Sequence, residues 1–548
     1  MSKALALDGK RKSGQPVRTE LVQTVQVLSN ILKSSLGPVG LDKMLVDDIG
    51  DIIVTNDGAT ILNRLEVEHP AAKMLVDLSK LQDDEVGDGT TSVVLLASEL
   101  LKRANHIAQH KIHPTNIIAG YKLAARESVK FIKENMTIKT ASLGPDAIMN
   151  IARTSMSSKI LSSDIDHFAK ICTEAVMSVK TVNDLGDYVY PVKAISVLKQ
   201  HGKSSSESTL VDGFALNCTR SSQAMPTAVQ NAKIALLDFD LRVTKLKLGI
   251  QIIVSDPKEL EAIRRREVDV TKERILKIIA AGANVILTTK GIDDVCMKYM
   301  VEAGVIGVRR CKKDDLKRIA KATGGTILVS LASIEQDGEE TFDASNLGTA
   351  AAVVEERFAD DECLIVKGGL KHTQSSIILR GANSFMLDEM ERSMNDALQA
   401  VKRTLESTAV CPGGGAVETA LAIYLENFAH TLGSREQQAI AEFAEALLVV
   451  PKQLSINAAL DAVDLVAKLR VAHHQAQSDP SQKDKGLQWT GLDLNNGVIR
   501  NSVEAGCLEP SMSKVKSIQF ATEAAISILR IDDVIRLNAK EEPEQDHH

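Results

Sequence analysis

The chain has 548 residues, 44% of them hydrophobic and only 3% aromatic, and its 65 basic and 72 acidic side chains give a formal charge of -7. That length predicts roughly three or four domains with mainly aliphatic cores, and the intermixed charges exclude both the basic stripe of a nucleic-acid binder and the polybasic cluster of an anionic-membrane binder. No apolar run of membrane-spanning or signal-peptide length is present, and seven scattered cysteines without a C-x-x-C pair read as reduced thiols, so a cytosolic, unanchored protein is expected.

Residues 19–135 carry helical periodicity, with Leu21, Val25, Leu28, Ile31 and Leu32 as one stripe and Met74, Leu75, Leu78 and Leu81 as another. Leu36-Gly37-Pro38-Val39-Gly40 ends the first of these runs, and a glycine C-cap followed by proline explains it structurally. A strand-like interlude, Asp51-Ile52-Ile53-Val54-Thr55, leads into Asn56-Asp57-Gly58. Asp-Gly suggests a hairpin turn, but Ile61, Leu62 and Leu65 come next at helical spacing and favour a helix start at Asp57. The loop Gly87-Asp88-Gly89-Thr90-Thr91-Ser92 opens onto another run that can be helical. Glycine lets backbone N–H groups crowd an anion, and a helix start adds unpaired donors. Asp88 is then a candidate Mg²⁺ ligand, because that hard ion takes carboxylate and phosphate oxygens.

From Lys193 to about Ser222, glycine, serine and charge mark a boundary or an exposed connection. Within it Gly202-Lys203-Ser204 imitates the end of a P-loop, but the glycine required five positions earlier is Val197, so the chain has no Walker A motif. Between about 217 and 370, short apolar runs (Ile234 to Leu237, Ile250 to Val254, Val285 to Leu287, Val305 to Val308, Ile327 to Val329) alternate with helical ones, which predicts an α/β domain with a largely buried sheet. The segment from Asp256 to Glu267 is too highly charged to be core on more than one narrow side; it reads as a projecting helix or as an ordinary solvated one.

Helical periodicity returns after 385 and lasts to Ile531, interrupted at 476–503. Met390, Met394, Leu398, Val401 and Leu405 form an apolar stripe, and Asp396 falls opposite it, where most acids simply meet water. A second glycine loop, Cys411-Pro412-Gly413-Gly414-Gly415-Ala416, also opens onto a helix. The pair of loops, more than 300 residues apart, suggests a phosphate site assembled from both ends of the chain. The tail from Asn538 reads as disordered.

Together, Ser35-Leu36-Gly37-Pro38, Thr55-Asn56-Asp57-Gly58-Ala59-Thr60-Ile61, Gly87-Asp88-Gly89-Thr90-Thr91-Ser92, Asn395-Asp396-Ala397-Leu398 and Pro412-Gly413-Gly414-Gly415-Ala416 occur in the order and context of the chaperonins. Asn231 to Asp238 resembles the start of the apical domain in group II members. Leu65 to Lys73 and Lys111-Ile112-His113-Pro114 are most similar to the eukaryotic cytosolic chaperonin, the TCP-1 ring complex.

The resemblance implies a multi-domain fold. It comprises a mostly α-helical equatorial domain at 1–147 and 405–548, an α/β intermediate domain at 148–216 and 370–404, and an α/β apical domain at 217–369 with a helical lid protrusion at about 250–275. It implies ATP/ADP and Mg²⁺ as ligands, paralogous subunits in a two-ring hetero-oligomer, and unfolded clients such as actin and tubulin. By similarity Asp88 coordinates Mg²⁺, Asp396 orients the attacking water, and Asp57 is a second carboxylate. Ser35, Leu36, Gly37, Pro38, Asn56, Gly89, Thr90, Thr91, Ser92, Gly413, Gly414 and Gly415 hold the nucleotide, Asp493 and Leu494 (with Gly491) its adenine, and Glu504 its ribose. Phosphoryl transfer needs mainly positioning and charge neutralisation, which such parts supply. Thr154-Ser155-Met156 corresponds to the nucleotide-sensing loop; Met156 stands where some archaeal relatives carry lysine, and Lys159 is the candidate substitute. Two other classes compete, a small-molecule kinase with a split ATP site and a scaffold with a dead site. The first lacks an acceptor-substrate constellation, and the second is at odds with Asp57, Asp88 and Asp396 all being present.

Overall fold

The structure, a computed structural model, describes residues 9–144, 146–242, 257–331, 340–358, 361–369, 374–479 and 486–537. The strand expected at Ile250 to Val254, the first residues of the lid segment and the tail from Asn538 lie outside them. The chain divides into two compact units, one formed by Met1–Ala169 with Arg392–His548 and the other by Lys170–Glu391.

The first unit is helical. Its core gathers the apolar faces of Gln15–Leu32, Pro70–Glu85, Thr90–Gln109, Pro114–Phe131, Ala416–His430, Glu436–Leu447 and Ser511–Leu529. The predicted stripes supply Leu21, Val25, Leu28, Leu32, Leu75 and Leu78 to this core, whereas Ile31 and Leu81 face outward. The cluster is almost entirely aliphatic, so its one buried tyrosine needs a partner. Tyr121 packs edge-on to Phe443 and donates to the Leu100 carbonyl at 2.9 Å. The terminal strands Gly9–Ser13 and Asp533–Leu537 pair antiparallel, so both chain ends are tied into the same unit.

In the interruption at 476–503 stands a hairpin, Thr490–Asp493 with Val498–Asn501. His473, on the helix Ala462–Ser478, is buried beneath it and donates from Nε2 to the Thr490 carbonyl, 2.8 Å away. Burial pushes this imidazole down to about 4 from an ordinary 6.5, against the weaker upward pull of the carbonyl. The unfolded chain therefore takes up a proton that the folded chain refuses. Stability is full above 6.5 and falls as pH drops through the window to about 4, by about 3 kcal/mol in all. His473→Gln, which keeps a donor, is expected to flatten that slope in urea titrations at stepped pH. An unaltered slope would refute the assignment.

In the second unit a seven-stranded mixed sheet runs Ile306–Val308, Val285–Thr288, Ala228–Leu237, Gly348–Phe358, Asp361–Gly369, Phe214–Leu216, with Ile327–Leu328 also pairing the long third strand. Neighbours among Ile306–Val308, Val285–Thr288 and Ala228–Leu237 are parallel and the rest of that path is antiparallel. Val285–Thr288 and Ile306–Val308 are buried at every position, which is why they read as unbroken apolar runs. The charged segment after Asp256 is helical, within Pro257–Ala280.

The stretch read as a boundary or an exposed connection at 193–222 is mostly exposed at 202–207, but it also holds three strands. Ser196–His201 and Thr209–Asp212 flank the fully buried Ser375–Gly381, and Phe214–Leu216 edges the larger sheet. Of the serines in that stretch, Ser196 and Ser208 are buried and Ser204 and Ser206 are exposed; on the neighbouring strand Ser375–Gly381, Ser376 Oγ accepts from the Ala215 N–H at 2.8 Å and donates to the Gly213 carbonyl at 2.9 Å. Composition thus marked the exposed run at 202–207 and did not announce the strands on either side of it.

Candidate nucleotide site

Two helices of the first unit begin on a left-handed glycine with no side-chain cap, Thr90–Gln109 after Gly89 and Ala416–His430 after Gly415. Each start leaves backbone donors unpaired and the positive end of the helix dipole open. Both line one cavity of about 470 Å³. The expected assembly of a site from distant loops is thus present in the fold, and glycine is required at both caps by φ of +80° and +76°.

The loop 87–89 is held from beneath by Gln82. Its fully buried amide donates from Nε2 to the Asp88 carbonyl at 2.9 Å, while its own backbone carbonyl accepts from the Val86 and Gly87 N–H groups. Asp88 Oδ1 in turn accepts from the Gly89 N–H, 2.6 Å away. Asp57 caps the helix Gly58–Arg64, accepting from the Thr60 N–H at 2.9 Å, the Thr60 hydroxyl at 2.7 Å and the Thr90 hydroxyl at 3.0 Å. Asn56-Asp57-Gly58 therefore opens a helix and not a hairpin turn.

Asp396 does not meet water as an acid opposite an apolar stripe usually does. It forms an ion pair with Lys159, which is itself buried. Burial raises the Asp396 carboxyl well above its ordinary range; Lys159 opposes this, and Asp57 and Asp88 add to it by like-charge repulsion. Burial also pushes Asp57 upward, but Lys159 and the Thr60 and Thr90 hydrogen bonds outweigh it and leave that carboxyl low. For Lys159, burial is overcome by Asp396, Asp57 and Asp88, so the ammonium is held charged. The cavity thus contains a protonated lysine between a firmly ionised carboxylate and one displaced toward protonation.

Of the residues expected to form the site, Ser35, Leu36, Gly37, Pro38, Asn56, Asp57, Asp88, Gly89, Thr90, Thr91, Ser92, Asp396, Gly414, Gly415, Asp493 and Leu494 line this cavity. Gly413, Gly491 and Glu504 do not. Gly413 bonds through its backbone N–H to the Cys507 carbonyl at 2.9 Å, and Gly491 pairs with Arg500 in the hairpin. Glu504 is exposed and accepts from Asn501 Nδ2 at 2.8 Å, while Ala505, Gly506 and Cys507 face the cavity in its place. The Asp493 carboxylate is occupied by its own turn and by Arg500, 3.2 Å away. Met156 is fully buried at the end of a helix, Asp146–Met156, and only Thr154, Ser155 and Lys159 of the sensing-loop candidates reach the cavity.

Sequence reasoning missed Glu509, Ser513 and Lys514, which also line it. Lys514 Nζ lies 2.8 Å from both Glu418 and Glu509 and all three side chains are largely buried. Their positions give no local signal, since the partners are 96 residues apart in the case of Glu418.

The lining fits a nucleoside phosphate. Leu36, Val450, Leu454 and Leu492 belong to one apolar cluster and present a wall for a base. The Ser35 and Ser155 hydroxyls are buried in the lining without a partner among the described residues, two donors awaiting an acceptor.

The sequence profile of the TCP-1/cpn60 chaperonin family matches residues 28–539. The chain belongs to that family. Among its relatives, this chaperonin is 60% identical over 546 residues to T-complex protein 1 subunit alpha of Dictyostelium discoideum, covering 100% of this chain and 99% of that one. It is 61% identical over 531 residues to the protein of the same name from Arabidopsis thaliana, with 97% of each covered. Thermosome subunit beta of Thermoplasma acidophilum is 39% identical over 529 residues, 96% of this chaperonin and 93% of the relative.

Proposed function

We propose that this chain is an ATP-hydrolysing subunit of a double-ring, hetero-oligomeric cytosolic chaperonin, in which turnover drives closure of a chamber around non-native proteins, actin and tubulin among them. The observation that carries the reading is the single cavity at which two glycine-capped helix starts, Asp57, Asp88, Asp396 and Lys159 meet. The phosphates lie against 36–38 and the start of Thr90–Gln109, and the adenine near Leu494. Asp88 would hold Mg²⁺, a hard ion that also takes phosphate oxygens. No group of three or more His, Cys, Asp and Glu ligands is preassembled among the described residues, which suits an ion that takes most of its ligands from phosphate and water. When bound, that ion neutralises phosphate charge. Asp396 orients the attacking water and accepts its proton, Asp57 keeps Thr90 and the helix start in place, and Lys159 offers a positive charge that responds to the γ-phosphate.

Nucleotide moves the chamber only to the extent that it binds the closed arrangement better than the open one. The domain division is the one set out from the resemblance, 1–147 with 405–548, 148–216 with 370–404, and 217–369 carrying the protrusion at about 250–275. The return of both chain ends to one compact unit supports an insertion of this kind. Ring assembly is supported by the isolated hairpin Lys43–Val46 with Ile52–Thr55, on which Met44, Val46 and Ile49 are 66%, 62% and 89% exposed. A two-stranded ribbon with bare apolar side chains calls for a partner. Among the described residues no helix is long and apolar enough to cross a membrane.

Native mass spectrometry of the tagged chain from its own cytosol tests the reading. A particle many times the mass of one chain, containing related but different subunits, is expected. A monomer or small homo-oligomer with full ATPase activity would overturn it.

A further inference from the structure

The nucleotide cavity takes one end of the helix Thr90–Gln109, and the other end carries two histidines that the cavity does not use. His106 lies in the last turn and His110 closes it. At about 1.5 Å per residue the pair stands roughly 25 Å along the helix from the glycine cap. Residues four apart share a helix face, so the two rings meet. Their centroids are 4.7 Å apart with the planes at 78°, while the Nε2 atoms are 3.4 Å apart. The nitrogens are thus nearer than the ring centres, and the imidazoles converge through their Nε2 edges. Both side chains are exposed.

We propose that His106 and His110 form a chelating site for a divalent transition-metal ion, zinc in the first place. Imidazole nitrogen binds zinc at about 2.0–2.1 Å, and two such bonds at the tetrahedral angle hold the nitrogens about 3.3–3.4 Å apart. That separation is already built. As a hydrogen bond it is long, since a good one from N–H spans about 2.7–3.2 Å. Ligands at a right angle need a separation of about 2.9 Å, so the geometry favours zinc over copper(II) and nickel(II), which take square-planar sites.

The surroundings suit a cation. The C-terminal end of a helix carries negative partial charge. The basic side chains preceding His106 on the helix are already neutralised: Lys102 pairs with Glu99 at 3.1 Å, and Arg103 pairs with Glu99 at 3.0 Å and with Glu442 at 2.8 Å. Each ring gives its Nε2 lone pair to the metal and keeps its proton on Nδ1. Among the described residues no third His, Cys, Asp or Glu joins the pair. Water therefore fills the remaining positions and the site stays open, unlike a structural zinc site closed by four protein ligands. A bound ion clasps the last turn of the helix whose first turn opens onto the nucleotide cavity. Because it depends only on these two side chains, the site stands whether or not the chaperone reading does.

The test is histidine modification by diethyl pyrocarbonate on the purified native particle at stepped zinc concentrations, each position being read by peptide mass spectrometry. Expected is joint protection of His106 and His110 over one zinc range, reversed by EDTA, while His430, exposed at the end of another helix, keeps reacting. In His106→Gln the protection of His110 should be lost, because one imidazole without its neighbour forfeits the gain from holding the ion at two points. Continued reaction of either histidine in saturating zinc would overturn the proposal. So would protection of His110 that survives His106→Gln, or equal protection of His430.

Discussion

Replacing Asp396 by asparagine is expected to lower ATP turnover at the site carrying it by about 10²-fold or more, with nucleotide affinity little changed. Asparagine keeps the shape of the side chain but cannot take a proton from the attacking water. The carboxylate it replaces is buried against Lys159 and has its pKa raised by burial, with Asp57 and Asp88 contributing. The same burial that makes Asp396 costly to ionise raises its affinity for a proton, which is what a base needs. The substitution removes an interaction made in the transition state, and the fall should therefore appear in kcat and kcat/KM equally. The measurement is single-turnover hydrolysis in particles whose other sites have been silenced, because in a mixed ring active neighbours would mask the loss. Unchanged turnover would take Asp396 out of the chemistry.

Lys514→Met is expected to destabilise the first unit by about 3–5 kcal/mol, the cost of leaving a buried carboxylate without its partner. Lys514 lies 2.8 Å from both Glu418 and Glu509, with only 11% of its side chain exposed. Burial already raises Glu509, Lys514 opposes that rise, and Glu418 adds to it. Without the ammonium the two acids would face each other, largely buried, with no opposite charge between them. Adding Glu418→Gln and Glu509→Gln to Lys514→Met should return most of the loss, since neutral groups carry little desolvation penalty. Denaturant unfolding of the three proteins decides it. A Lys514→Met chain of unchanged midpoint would show that water reaches the triad.

Elements whose cause is local were legible in the sequence. Asp57 could be read as a helix cap because a helical stripe comes after it, and the two glycine loops because only glycine takes the left-handed cap that opens a helix start to an anion. Features that escaped reading depend on distant partners. The ion pair from Lys159 to Asp396 spans 237 positions, and nothing around either residue announces the other. Lys514 meets Glu418 across 96 positions, a pairing that no local pattern announces. Glu504 shows the converse. It stands in the stretch whose later residues reach the cavity, but it points at Asn501, because in a tight turn adjacent side chains face different ways. The strands beginning at Ser196 and Thr209 escaped for a third reason, that composition reports polarity and not whether a hydroxyl has found its bonds, as the buried Ser196 and Ser208 show.

The pairing of Gly9–Ser13 with Asp533–Leu537 also bears on how the molecule is made. During synthesis the first strand waits for nearly the entire chain before its partner leaves the ribosome, and neither Asp396 nor Lys514 exists when the loop at 87–92 emerges. Residues 170–391 form a unit with contacts of their own and are complete long before the C-terminal segment arrives. The helical unit is thus the last to close, with the apolar faces of its early helices uncovered in the interval, which is the situation in which nascent chains aggregate. A protein proposed to shelter unfinished chains is, by its own chain order, one that needs shelter while it is being built.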